Sequence, residues 1–188
     1  MWSRDNRAAF ARVARLAAAL AAAGLLAACF QPLYGDRSVT GSPALRTALQ
    51  AVDVLQIEAA NGTQEARIAV EVRNSLLFEL TGGAGSISPT HQLKINISLS
   101  KSALIVDVTT GRTEAEVTGI DAIYQLTELA TGKVVFRSTT FARVSSDVPG
   151  QQQRFARSRA QRDAEDRAAK VIAENIRSRL ASHFVAGT

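Results

Sequence analysis

Cys29 is the only thiol in this 188-residue chain, and His91 and His183 are the only imidazoles. A lone thiol cannot close an intramolecular disulfide or build a Cys-rich zinc site, and two widely separated histidines lack metal-cluster spacing. His91 opens a predicted strand, and His183 lies near the end of a predicted helix, where a cation favours the dipole. Local hydrogen bonding or solvent accounts for both. The stretch Gly82-Gly83-Ala84-Gly85-Ser86 is glycine-rich, but it follows a helix and has no lysine in the phosphate-loop place, so it reads as a flexible connection. Acid, base and nucleophile positions do not converge. The expectation is therefore a non-enzymatic chain with no catalytic residue, no metal ligand and no cofactor.

Arginines are the remaining chemistry. Arg154, Arg157, Arg159 and Arg162 precede Asp163, Glu165 and Asp166, so the cationic run is interrupted where a phosphate-binding face would need to continue. The sequence pI near 10.0 and net charge of +5 also overstate the basic character. Arg4, Arg7, Arg12 and Arg15 against Asp5 carry three of those five charges, which leaves +2 for residues 29–188. Nucleic acid is not the expected partner. The arginines remain able to meet lipid phosphates or an acidic protein surface.

Cys29 takes its meaning from what precedes it. The four arginines are followed by an apolar run from Leu16 to Ala28, thirteen residues where a spanning helix needs about twenty. A basic flank and a short apolar segment describe a signal peptide over residues 1–28. The alternative, a buried Ala-rich helix with Cys29 as a small core residue, does not explain the arrangement of the cationic flank. Leu26-Ala27-Ala28-Cys29 resembles the cleavage site of bacterial lipoproteins. That resemblance implies that Cys29 becomes the mature N-terminus, carries a diacyl thioether and usually an amide-linked palmitate, and faces the periplasm. Phe30, rather than an acidic residue, after Cys29 agrees with sorting to the outer membrane. Two or three acyl chains anchor a protein stably. Residues 29–50, with turn formers at Pro32 and Gly35, read as the lipidated tether.

The elements of the single domain, 51–188, follow from periodicity. Residues 51–58 are β-branched and predict a strand; Ile68, Val72, Leu76 and Leu80 recur at helical spacing, with Asn61 or Thr63 as cap and Gly82-Gly83 as terminator. Leu93, Ile95, Ile97 and Leu99 alternate with polar residues, and beyond Lys101 the alternation reverses phase at Leu104, Val106 and Val108. A two-residue turn at Thr110-Gly111 pairs Leu104 with Val117, Leu99 with Ala122 and Ile97 with Tyr124. The tip of that hairpin, about 102–119, either leaves the main core or returns to it through bulges and twist. A three-residue turn at Ala130-Thr131-Gly132 pairs Leu126 with Phe136, Tyr124 with Ser138 and Ile120 with Ala142, and opens a strand over 133–147. From Arg154 to Phe184 a helix carries the stripe Ala160, Ala164, Ala168, Val171, Ile172, Ile176 and Leu180, flanked by four i,i+4 charge pairs. The predicted fold is α+β, order β-α-β-β-β-α. Two helices pack on one face of a four-stranded, largely antiparallel sheet.

Lipobox, tether and element order together resemble the LptE family of lipopolysaccharide-assembly lipoproteins, in its alphaproteobacterial form. The residues carrying the likeness are Cys29-Phe30-Gln31-Pro32-Leu33-Tyr34-Gly35, the helix from Arg67 to Leu80, and the meander with its closing helix; the glycine that commonly follows the cysteine is absent. The resemblance implies an outer-membrane lipoprotein that plugs the lumen of the LptD β-barrel, supports its assembly and helps deliver lipopolysaccharide to the outer leaflet. A barrel lumen is polar, which suits a plug with a stable core and a polar exterior. Family contacts to lipopolysaccharide follow no fixed motif, so Lys101, Arg112, Lys133, Arg137 and Arg143 are candidates on charge alone. An auxiliary lipoprotein of a lipid-transport ABC system is the competing expectation.

Overall fold

A computed structural model describes residues 45–83, 88–149 and 153–186, all within one compact unit. The expected signal peptide, Cys29 and the tether as far as residue 44 lie outside the described residues. The elements are α1 (Leu45–Gln50), β1 (Val52–Val54), α2 (Gln64–Thr81), β2 (His91–Val106), β3 (Thr113–Glu128), β4 (Val134–Asp147) and α3 (Arg154–Ala186). An α+β architecture with helices on a four-stranded sheet is thus present, but with three helices rather than two and the order α-β-α-β-β-β-α. The extra helix falls in the stretch expected to be tether. It has six residues, too few to show a period, and it forms because Leu45 and Leu49, one turn apart, bury against α2 and α3.

The sheet order is β1-β2-β3-β4, with β1 parallel to β2 and the other pairs antiparallel. β1 is shorter than the predicted 51–58, although Ile57 beyond it is still buried. Arg73 Nε donates to the Val54 carbonyl at 3.0 Å and covers the outer side of β1 where the ladder stops. α2 begins as expected: Thr63 Oγ1 accepts from the Ala66 N–H at 3.2 Å, and Gly82, at φ 68°, donates its N–H to the Phe78 carbonyl at 2.7 Å.

Register decides which side chains share a row. β3 and β4 pair as expected, Leu126 with Phe136, Tyr124 with Ser138 and Ile120 with Ala142. β2 and β3 do not: Leu99 faces Ile120, Ile97 faces Ala122 and Ile95 faces Tyr124. The slip is two residues, because the turn is six residues long, Asp107 to Arg112, and not two. Asp107 carboxylate oxygen accepts from the N–H groups of Thr109 (2.7 Å) and Thr110 (3.2 Å), and Gly111, at φ 66°, donates to the Asp107 carbonyl at 2.7 Å. An Asx turn therefore closes the loop that a type I′ turn was expected to close. A two-residue slip preserves side-chain parity, so the buried face is unchanged.

That face carries Leu93, Ile95, Ile120, Ala122, Tyr124, Leu126 and Ala142 against Ile68, Val72, Leu76 and Leu80 of α2 and Ala168, Ile172, Ile176 and Leu180 of α3. Each fully buried Leu or Ile side chain contributes about 1.5–3 kcal/mol. Val171, expected in the stripe, is exposed on its flank. Of the four expected i,i+4 pairs on α3, Asp163–Arg167 closes, at 2.8 Å, among the described residues. α2 and α3 run parallel, tied by Arg67–Glu165 at 2.9 Å near one end and Glu79–Arg177 at 3.1 Å near the other.

Candidate interaction surface

The described residues contain no group of His, Cys, Asp and Glu able to hold a metal ion. Their two histidines belong to an aromatic cluster instead. The His183 ring stacks on Phe136 at 5.0 Å, and His91 meets the edge of Phe184 at 5.3 Å while Thr90 Oγ1 lies 2.8 Å from its Nδ1. Burial lowers the His91 pKa below the ordinary imidazole value; Glu128 acts against this and His183 with it. The cluster seals the end of the sheet where β2 starts and α3 ends.

The opposite end is built differently. β2 and β3 continue past the last core row, Leu99 with Ile120, through register shifts between Ala103 and Val106; of residues 100–119, Ala115, Thr118 and Gly119 are buried, but outside the main apolar cluster. Leu104 and Val108 are 58% and 98% exposed, and Ile105 and Val106 about half exposed. The tip thus has the bulges of one expectation and the outward apolar side chains of the other. Pairing stays regular as far as Ala103 with Glu116, so Leu104, in the phase opposite to Leu93–Leu99, lies on the sheet face away from α2 and α3 before the bulges begin.

α3 reaches the same end. Val148 N–H donates to the Glu114 carbonyl at 2.8 Å, six residues before α3 starts, and Arg167 Nη2 donates to the Ser145 carbonyl at 3.2 Å. α3 begins eleven residues, about 16 Å, before its contact with Arg67, whereas α2 begins only three residues before it. Residues 154–159 are exposed on every side, among them Phe155 at 76%. Arg154, Arg157, Arg159 and Arg162 therefore lie at the same end of the domain as the apolar hairpin tip. Four cations in the first turns of a helix with no acidic residue in the first turn oppose the helix dipole, which an anionic ligand would relieve.

The five basic residues singled out in the sequence are not brought together. Lys101, 3.9 Å from Glu116, and Arg112, in the turn, lie toward the tip. Lys133 lies in the β3–β4 turn at the other end of the sheet, and Arg137, four residues further along β4, lies on the outer face and donates to Gln125 Oε1 at 2.9 Å. Arg143 is committed internally. Its guanidinium bridges both carboxylate oxygens of Asp121, at 2.8 and 2.9 Å, and donates to the carbonyls of Ile120 and Ala142 while lying over Phe141. Gly119 permits this arrangement, since a Cβ there would collide with Ser100 Oγ and crowd Arg143. Lys101 and Arg112 belong to the tip, and the α3 arginines that the intervening acids had discounted lie at the same end of the domain. The missed signal was rotational: Glu165, which appeared to interrupt the cationic run, points inward and is 3% exposed.

The domain is thus a mixed sheet with helices on one face and a far end that carries exposed apolar and cationic side chains. The sequence model of LptE, lipopolysaccharide-assembly, matches residues 49–180, and the chain belongs to this family. It is accordingly a non-catalytic protein whose family and fold match lipoprotein assembly factors. Among solved structures, a candidate lipoprotein from Caulobacter crescentus CB15 shares the fold at a TM-score of 0.57 and 21% identity, over 77% of this chain and 97% of that one. Rare lipoprotein B from Shewanella oneidensis does so at 0.50 and 17%, over 71% and 98%. No curated protein matches. No helix among the described residues is long and apolar enough to cross a membrane.

Proposed function

We propose that the mature protein is anchored at Cys29 to the periplasmic side of the outer membrane, occupies the lumen of the LptD β-barrel as plug and assembly partner, and contacts lipopolysaccharide on its way to the outer leaflet. The observation that carries this reading is the far end of the domain. Leu104, Ile105, Val106 and Val108 are exposed in the hairpin that carries Arg112, and Arg154 to Arg162 lie at the same end of the domain, so apolar surface and cations occur where the domain's own core has ended. That combination fits an amphiphile with acyl chains and phosphates, or the partner that handles it. Family membership supports the assembly role. The tether residues Phe30 and Pro32-Leu33-Tyr34-Gly35 support the alphaproteobacterial form of the family.

The test is affinity purification of a tagged, full-length chain from outer membranes, with mass spectrometry of the co-purifying proteins and of the N-terminus. The expected result is the barrel as the stoichiometric partner and an acylated Cys29; Cys29→Ala loses fatty-acid label and leaves the membrane fraction. Recovery of an inner-membrane transporter in place of the barrel would favour the ABC-system reading. Unchanged labelling of Cys29→Ala would refute the anchor.

A further inference from the structure

β4 is an edge strand fourteen residues long, and its outward side has no described strand beside it. The hydrogen-bond pattern fixes which backbone groups are left over. Val148 N–H donates to the Glu114 carbonyl, so from Phe136 onward the even-numbered residues of β4 direct their backbone groups toward β3 and the odd-numbered ones direct theirs away. The Ser145 carbonyl confirms the direction, because Arg167 of α3 reaches it at 3.2 Å. The N–H and C=O groups of Arg137, Thr139, Phe141 and Arg143 consequently line an open edge, and no described residue is hydrogen-bonded to them. The corresponding outer side of β1 is treated otherwise, with Arg73 covering the Val54 carbonyl.

The side chains of these four residues all lie on the sheet face opposite the helices. Phe141 is 65% exposed, and the charge of Arg143 is balanced by Asp121. The row containing Arg137 holds Lys94 and Gln125, two cations and no carboxylate. An incoming strand is therefore matched by a carboxylate opposite Arg137 and an apolar side chain opposite Phe141. A second copy paired antiparallel about Arg137 would bring another cationic row to the same place.

We propose that β4 pairs through this edge with an extended segment of the barrel partner that presents an acidic residue to Arg137 and an apolar residue to Phe141, adding a fifth strand to the sheet. The proposal rests on the barrel reading above. It differs from the tip in place and in chemistry, since it uses the backbone of β4 and not the apolar residues beyond Leu99.

Hydrogen exchange on the full-length lipoprotein, alone and in its purified complex with the barrel, tests it at the amides concerned. The amides of Arg137, Thr139, Phe141 and Arg143 should exchange rapidly in the isolated protein and slow by about a hundredfold or more in the complex. Thr139→Pro removes one outward N–H and no β3–β4 hydrogen bond, so it should retain the native circular dichroism and reduce recovery of the barrel about tenfold or more. Thr139→Ala, which keeps the amide, should recover it normally. Rapid exchange of these amides in the complex, or normal barrel recovery with a folded Thr139→Pro, overturns edge pairing while leaving the barrel reading intact. Protection that instead appears in the isolated protein with concentration-dependent dimerisation assigns the edge to a second copy and also overturns it. If the wild-type chain captures no barrel, both readings fail together.

Discussion

Between Leu93 and Leu99, β2 is backed by helices and its alternate side chains are at least partly buried; from Ser100 to Val106 the same strand leaves every side chain exposed. The backbone ladder with β3 continues across both halves. A strand can thus outrun the core that specifies it, because its hydrogen bonds need only the neighbouring strand, whereas burial needs an element stacked on its face. The helices differ in the same way. α2 is packed along its length, while the first turns of α3 stand clear of the domain. Residues retained without a core role at one end of a well-packed domain are available for contacts with other molecules.

The sharpest test of the packed half is Leu76→Asp. Leu76 is fully buried in the middle of the α2 stripe, and a carboxylate there has no partner, so stability should fall by roughly 4 kcal/mol or more. Thermal or urea unfolding measures it. A midpoint equal to wild type would show that α2 does not seal the sheet. Arg73→Asp, outside the stripe, should cost less than Leu76→Asp, although it removes the hydrogen bond to the Val54 carbonyl at the end of β1.

The packed half was largely legible in the sequence, for reasons visible in single residues. The α2 stripe and the β3–β4 register followed from i,i+4 spacing and from Gly132, which adopts the positive φ, 68°, that the three-residue turn requires. The β2–β3 register was misread because a carboxylate, Asp107, supplies turn hydrogen bonds that a glycine count does not reveal. α1 was invisible because six residues have no period. The candidate site was legible only as a phase reversal at Leu104. Its arginines were discounted through linear proximity to acids, one of which is paired with a residue 98 positions away.

That acid gives an intermediate prediction. Glu165 accepts from Arg67 Nη2 at 2.9 Å, Gln64 Nε2 at 2.7 Å and Gln161 Nε2 at 2.8 Å, joining α2 to α3 just where α3 leaves the core. Glu165→Ala removes all three bonds, but the half-exposed Arg67 side chain can turn to water. A loss of about 1–3 kcal/mol is expected. A loss as large as that of Leu76→Asp would move the boundary of the packed half outward into the first turns of α3.

The smallest effect on stability should come from the tip, where the consequence for binding is expected to be greatest. Replacing Asp107 to Glu114 by Asn-Gly after Val106 leaves a short hairpin loop and removes, outside the tip itself, the hydrogen bond between Glu114 and Val148. None of the deleted side chains belongs to the main core, so unfolding free energy should change by no more than about 1 kcal/mol and circular dichroism should stay native. Barrel recovery or lipopolysaccharide binding should fall nonetheless, and Arg112→Glu in the intact tip should weaken the anionic ligand in a salt-dependent way. Unfolding of the deletion variant would mean that the tip supports the core despite its exposure, and the contrast between the two halves would collapse. A folded variant that binds normally would instead transfer the contact to Phe155 and the arginines at the start of α3, whose exposure does not depend on the hairpin.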